Sequence, residues 1–121
     1  LEFENPDIPI YQTNLLSVGL FRCHPGHPMF EDSGPIKGDL LVFPRTSVYI
    51  QHVSGEPIVT SPNVVMFYNT GQVYRRYKIS ERGDHCEWFA FDRKVILDAL
   101  QAFDAKIDIH PDQPFRLTHG L

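Results

Sequence analysis

The chain has 121 residues, of which 42% are hydrophobic and 21% charged, and its formal net charge is −4. That length suits one domain, and the apolar content is too high and the net charge too small for a disordered chain. Eleven basic residues in an acidic whole do not form the Lys/Arg-dense surface that displaces counterions from nucleic acid.

No apolar run approaches the roughly 20 residues of a membrane-spanning helix, so no membrane partner is expected. The first five residues, Leu1 to Asn5, include two glutamates and carry no signal-peptide pattern. With no initial Met, the chain reads as a piece of a longer protein. A cytoplasmic, reducing location is expected, where two cysteines seldom make a structural disulfide.

Ten prolines and eight glycines separate short apolar runs, the pattern of many short strands and tight turns. Residues 1–14 read as an extended arm. Residues 15–22 form the first strand, followed by a turn-rich stretch, Cys23-His24-Pro25-Gly26-His27-Pro28. Strands are predicted at 40–43, 47–52, 57–60 (a brief edge strand), 64–68, 73–79 and 85–91, the last after a hairpin turn at Glu81-Arg82-Gly83-Asp84. Helical periodicity appears only from Asp92, a natural N-cap, with Val95, Ile96, Ala99, Leu100 and Phe103 on one stripe. The expected organisation is an arm at 1–14, a β-barrel at 15–91, a helix at 92–104 and a tail at 105–121. Strands first and one helix last imply a mainly β sandwich or barrel.

Three stretches carry a family resemblance: Leu41-Val-Phe-Pro-Arg-Thr-Ser-Val48, residues 61–75 (Ser61-Pro-Asn to Val73-Tyr74-Arg75) and Gly83-Asp-His-Cys-Glu-Trp-Phe89. In order and spacing they resemble the N-terminal sensor domain of AraC-type transcription regulators. The resemblance covers about residues 15–103. It implies a cupin-like double-stranded β-helix, or jelly-roll barrel, with one C-terminal amphipathic helix. It also implies a bacterial regulator that senses a small-molecule effector, with helices that mediate a homodimer. DNA would be bound only through a helix-turn-helix domain that this chain does not contain.

A metal-dependent cupin enzyme fits less well. The comparable strand carries a single histidine, His52, with no second at period-2 spacing, and Tyr74 occupies the other histidine's place. Neither a nucleophile elbow nor a glycine-rich phosphate loop is present, so no enzymatic activity is expected. The alternative is a small cupin-type metalloenzyme with an atypical Cys/His site.

That site would use Cys23, His27 and Cys86, with His24 competing for a fourth place and zinc as the cofactor, because thiolate and imidazole are preferred zinc ligands. His85 and Cys86 are adjacent on a strand and so point to opposite faces. Plain buried thiols are the reading weighed first for the two cysteines, ahead of the metal site and then of a disulfide.

Strand parity defines the interior candidates. Tyr74 and Arg76 share one face, Arg75 and Tyr77 the other; Cys86, Trp88 and Ala90 share a face opposite Glu87, Phe89 and Phe91. Arg45, Tyr49, Tyr74, Arg76 and Trp88 are the candidate ligand-binding residues of an aromatic-lined pocket. The competing reading makes the aromatics core, and Arg75, Arg76 and Lys78 a solvated strand face.

Overall fold

The computed structural model of the chain describes residues 4–52, 55–104 and 106. Among them, eight strands precede one helix: β1 Asp7–Gln12, β2 Leu16–Cys23, β3 Asp39–Pro44, β4 Val48–His52, β5 Ile58–Val59, β6 Met66–Tyr68, β7 Tyr74–Lys78, β8 Asp84–Phe91 and α1 Arg93–Phe103. The fold is mainly β. The tail expected at 105–121 lies, apart from residue 106, outside the described residues.

Two antiparallel sheets form. One has the order β1-β2-β8-β3-β6, the other β5-β4-β7. β8 is the central strand of the larger sheet and pairs along its whole length with β2, from Leu16↔Phe91 to Cys23↔Asp84. Its other edge pairs with β3, from Asp39↔Phe91 to Pro44↔Cys86. In the smaller sheet β4 pairs with β7, from Val48↔Lys78 to His52↔Tyr74. Most neighbours are therefore distant in sequence, and the pairing depends on the two sheets burying their inner faces together. The shared core holds Cys23, Val42 and Cys86 from the larger sheet, and Val48, Ile50 and Tyr74 from the smaller.

The N-terminal arm is not free. Residues 7–12 pair antiparallel with β2, from Asp7↔Phe21 to Gln12↔Ser17, with a register shift between Pro9 and Tyr11. Pro9 cannot donate to a ladder, but an edge strand tolerates that loss. Every β1 residue is exposed, so the segment has no buried alternation by which it could be read as a strand.

The turn-rich stretch after Cys23 is also ordered, because it lies along β7. Arg76 N–H donates to the Glu31 carbonyl (2.8 Å), and Ile36 N–H to that of Gln72 (2.9 Å). Phe30 is buried in the core. At the other end of this region Gly83 has φ +74°, and a Cβ there would lie 2.1 Å from the Cys23 carbonyl oxygen. Only glycine allows the turn into β8 to press against the end of β2.

Asp92 caps α1 as expected, its carboxylate accepting from Lys94 N–H at 3.0 Å. The buried face is rotated from the predicted stripe, however. Leu97 is the buried residue of the helix, while Ala99 is exposed and Phe103 is 90% exposed. Val95, Ile96 and Leu100 of the predicted stripe are half-buried, and the periodicity alone does not say which residue of the helix goes deepest. No helix among the described residues is long and apolar enough to cross a membrane.

Candidate functional site

The inner faces of the two sheets do not close completely on each other. Between them lies a cavity of about 580 Å³, within the roughly 300–1,000 Å³ typical of small-molecule sites. Its walls are mostly apolar: Leu40 and Val42 come from β3, Val48 and Ile50 from β4, and Phe21 from β2. Aromatic rings add Tyr68, Tyr74 and Trp88. The period-2 geometry of a strand explains the selection. Asp84, Cys86, Trp88 and Ala90 alternate inward on β8, and all four line the cavity.

The deep end is built around Arg76, which is 2% exposed. Its Nε lies 2.6 Å from Asp84 Oδ2. One terminal nitrogen donates to the Phe30 carbonyl at 2.7 Å, and the other to the Tyr74 hydroxyl at 2.8 Å. The guanidinium carbon stands 4.6 Å from the Phe21 ring centroid, a cation–π contact. Every nitrogen of the group thus has a protein partner. Tyr74 in turn stacks on Tyr68, with centroids 4.9 Å apart and planes 8° from parallel, and His52 packs edge-on against Tyr74. Burial pushes the Tyr74 phenol up to about 12, so it stays protonated. Burial also raises Asp84 above the ordinary carboxyl value, with Arg76 pulling the other way.

The mouth is different. Asn5, Asp7, Pro35 and Lys37 line it, and all four are exposed. Partial burial raises the Asp7 carboxyl, while the Trp88 indole, Arg76 and Lys37 each hold it down. Trp88 is half-buried, and its Nε1, shut off from solvent, lies beside the Asp7 carboxyl that it holds down. The indole lies flat over β2 at Gly19, its register partner, where a Cβ would fall 2.3 Å from Trp88 Cζ2. Glycine at 19 is what lets Trp88 form the cavity wall.

Of the five predicted ligand-binding residues, the structure brings three together: Tyr74, Arg76 and Trp88. Arg45 and Tyr49 point away. Arg45 follows Pro44 in the turn after β3, and its side chain is 61% exposed beside Glu87 at 2.6 Å. Tyr49 is 43% exposed on the outer face of β4, opposite Val59 and Tyr77. The alternation of Val48 and Ile50 against Tyr49 already contained this answer. The solvated face expected for Arg76 is also corrected, because the buried Asp84 carboxylate and the Phe30 carbonyl replace its water. Asp84 went unread, although it shares the parity of Cys86 and Trp88.

The thiols converge without forming the predicted set. Cys23 is opposite Asp84 and Cys86 opposite Phe21, so the two occupy diagonal positions on the same face of neighbouring strands. Diagonal Cα atoms are about 7–8 Å apart, beyond the roughly 4.4–6.8 Å reach of a disulfide, and both are free, buried thiols. His27 does not join them. Its Nδ1 accepts from Met29 N–H at 3.0 Å, which leaves Nε2–H to donate to the Glu4 carbonyl at 2.9 Å. His24 is likewise turned to its own loop, accepting from Gly26 N–H. Among the described residues no three His, Cys, Asp or Glu side chains are grouped to hold a metal ion. Burial raises the Cys23 thiol and lifts Cys86 well above the usual thiol range, which keeps both protonated and poor as ligands or nucleophiles.

Fold and site together define a two-sheet, mainly β domain with an internal, largely apolar cavity. No family model and no curated protein sequence matches the chain. Among solved structures it is similar in fold to protein NMB1881 from Neisseria meningitidis, with a TM-score of 0.53 and 12% sequence identity over 76% of this chain and 88% of that one. At that identity the likeness concerns the fold alone.

Proposed function

We propose that the domain is the effector-sensing part of a cytoplasmic AraC-type transcription regulator, a jelly-roll barrel that binds a small molecule between its sheets and does no chemistry on it. The observation that carries this reading is the cavity of about 580 Å³, walled by both sheets and mostly apolar. The ionisable groups around it support binding over catalysis. Tyr74 and Cys86 are held toward their protonated forms by burial, and Asp84 and Arg76 are committed to each other. The jelly-roll assignment draws on the non-sequential antiparallel pairing of the strands.

The test uses the protein expressed from its full reading frame. A helix-turn-helix segment is expected beyond Leu121, with DNA affinity that changes when a small-molecule extract is added. The 121-residue chain alone should show no salt-sensitive DNA binding. A reading frame with no DNA-binding segment, or micromolar duplex binding by this chain alone, would overturn the assignment.

A further inference from the structure

Resting on the reading of the cavity as a binding site, we propose that its ligand is an amphipathic acid. Its apolar body lies between the sheets, and its anionic headgroup stands at the mouth against the Lys37 ammonium.

The apolar body follows from the walls. Leu40, Val42 and Phe21 of one sheet and Val48 and Ile50 of the other line the cavity. Hydroxyls line it too, and two of them are already engaged. Ser33 Oγ donates to the Gly34 carbonyl and accepts from Tyr74 N–H. Thr60 Oγ1 donates to the Val48 carbonyl and accepts from Val48 N–H. Each ligand methylene moved from water onto such walls favours binding by about fourfold.

The headgroup follows from the charges. Asp7, Lys37, Arg76 and Asp84 line the cavity. Arg76 and Asp84 meet at 2.6 Å, and the other nitrogens of Arg76 are bonded to the Phe30 carbonyl and the Tyr74 hydroxyl. The Asp7 carboxyl has the Trp88 indole as its hydrogen-bond partner and lies in the field of Arg76 as well. Lys37 makes no ion pair among the described residues. An anion that meets Lys37 stays at the exposed rim and keeps part of its water, so it escapes the cost of an unpaired charge in the apolar interior.

The backbone fixes that rim position. Ile36 N–H donates to the Gln72 carbonyl (2.9 Å), and the Ile36 carbonyl accepts from Gly71 N–H (2.7 Å). Two residues after Lys37, β3 begins at Asp39. Lys37 is thus held between two anchored points. Asp7 is the opposing charge at the same mouth, close enough to feel Lys37, so the two side chains act with opposite sign on a bound headgroup.

Trp88 is the chain's single tryptophan and lines the cavity, so its emission reports binding, with calorimetry as a second readout. The probes are octanoate, octanamide, octylamine and butanoate, titrated against the purified chain. At low ionic strength octanoate should bind about threefold more tightly than octanamide, as for a partly exposed ion pair, and octylamine should bind more weakly than octanoate. At about 1 M salt the preference for the acid should vanish. Lys37→Met should also erase it while leaving octanamide unchanged. Asp7→Asn, which keeps an acceptor for the indole, should strengthen octanoate; circular dichroism checks the fold of both variants. Butanoate, four methylenes shorter, should bind at least about fiftyfold more weakly than octanoate, which separates a ligand seated in the cavity from an anion resting on a surface lysine. Octanamide or octylamine binding as tightly as octanoate would overturn the anionic headgroup, and a preference for the acid that survives Lys37→Met would overturn the role of Lys37. Equal affinities for butanoate and octanoate would overturn the apolar body. If no probe alters Trp88 emission, the ligand class falls while the cavity reading stands. If a small-molecule extract also fails to shield Cys86, which lines the same cavity, from iodoacetamide, that reading falls with it.

Discussion

At the deep end of the cavity, Arg76 is met by Asp84, Tyr74 and the Phe30 carbonyl. At the mouth, Asp7 and Lys37 remain exposed, and the Trp88 indole bears on the Asp7 carboxyl. Both regions contain a cation, a carboxylate and an aromatic ring. The difference is exposure. A charged group shut off from water depends wholly on its protein partners, whereas an exposed one is served by solvent as well.

The sharpest way to break this comparison is at the deep end. Arg76→Met leaves Asp84 buried without its cation and should cost about 3–5 kcal/mol. Replacing both partners, Arg76→Met with Asp84→Leu, should recover most of that loss, because the unmatched charge is removed as well. Urea denaturation of the two variants measures it. A small effect in Arg76→Met would mean that water reaches Asp84, and that the deep end is not the closed structural network described.

A middle-sized effect is expected at the mouth. Gly19→Ala sets a methyl where the Trp88 ring lies, and overpacking of this kind costs about 1–3 kcal/mol. The ring must tilt off β2, so Trp88 emission should shift along with the loss of stability. Unchanged emission would show that the indole does not lie over Gly19.

The smallest effect belongs to the outer face. Arg45→Ala removes an exposed side chain and Tyr49→Phe only the hydroxyl of another, and exposed ion pairs contribute little. Denaturation midpoints should match the parent chain, and a loss of more than about 1 kcal/mol in either variant would show that the side chain packs against the fold.

Much of the architecture was legible because it rests on local rules. The alternation along residues 73–79 and 85–91 correctly separated Tyr74 and Arg76 from Arg75 and Tyr77, and Cys86 and Trp88 from Glu87 and Phe89. Asp92 marked the helix start because a cap acts on the very next turn. Other features obey no local rule. β1 carries no buried alternation; its pairing with β2 is a property of the sheet edge. Arg45 stands in a turn, where strand parity does not apply. Which residue of α1 goes deepest was settled by packing, which buried Leu97 and left Phe103 in solvent.

What the residues determined unaided was the class of the fold and, within each strand, which side chains face the same way, since both follow from backbone geometry over a few positions. What only the tertiary structure decided was which faces meet. Pairing β2 with β8 set Cys23 diagonal to Cys86 and out of disulfide reach. The approach of β7 to β8 turned Arg76 from an apparent surface cation into the buried partner of Asp84. Those outcomes depend on register and on the approach of one sheet to another, and no short stretch of sequence encodes either.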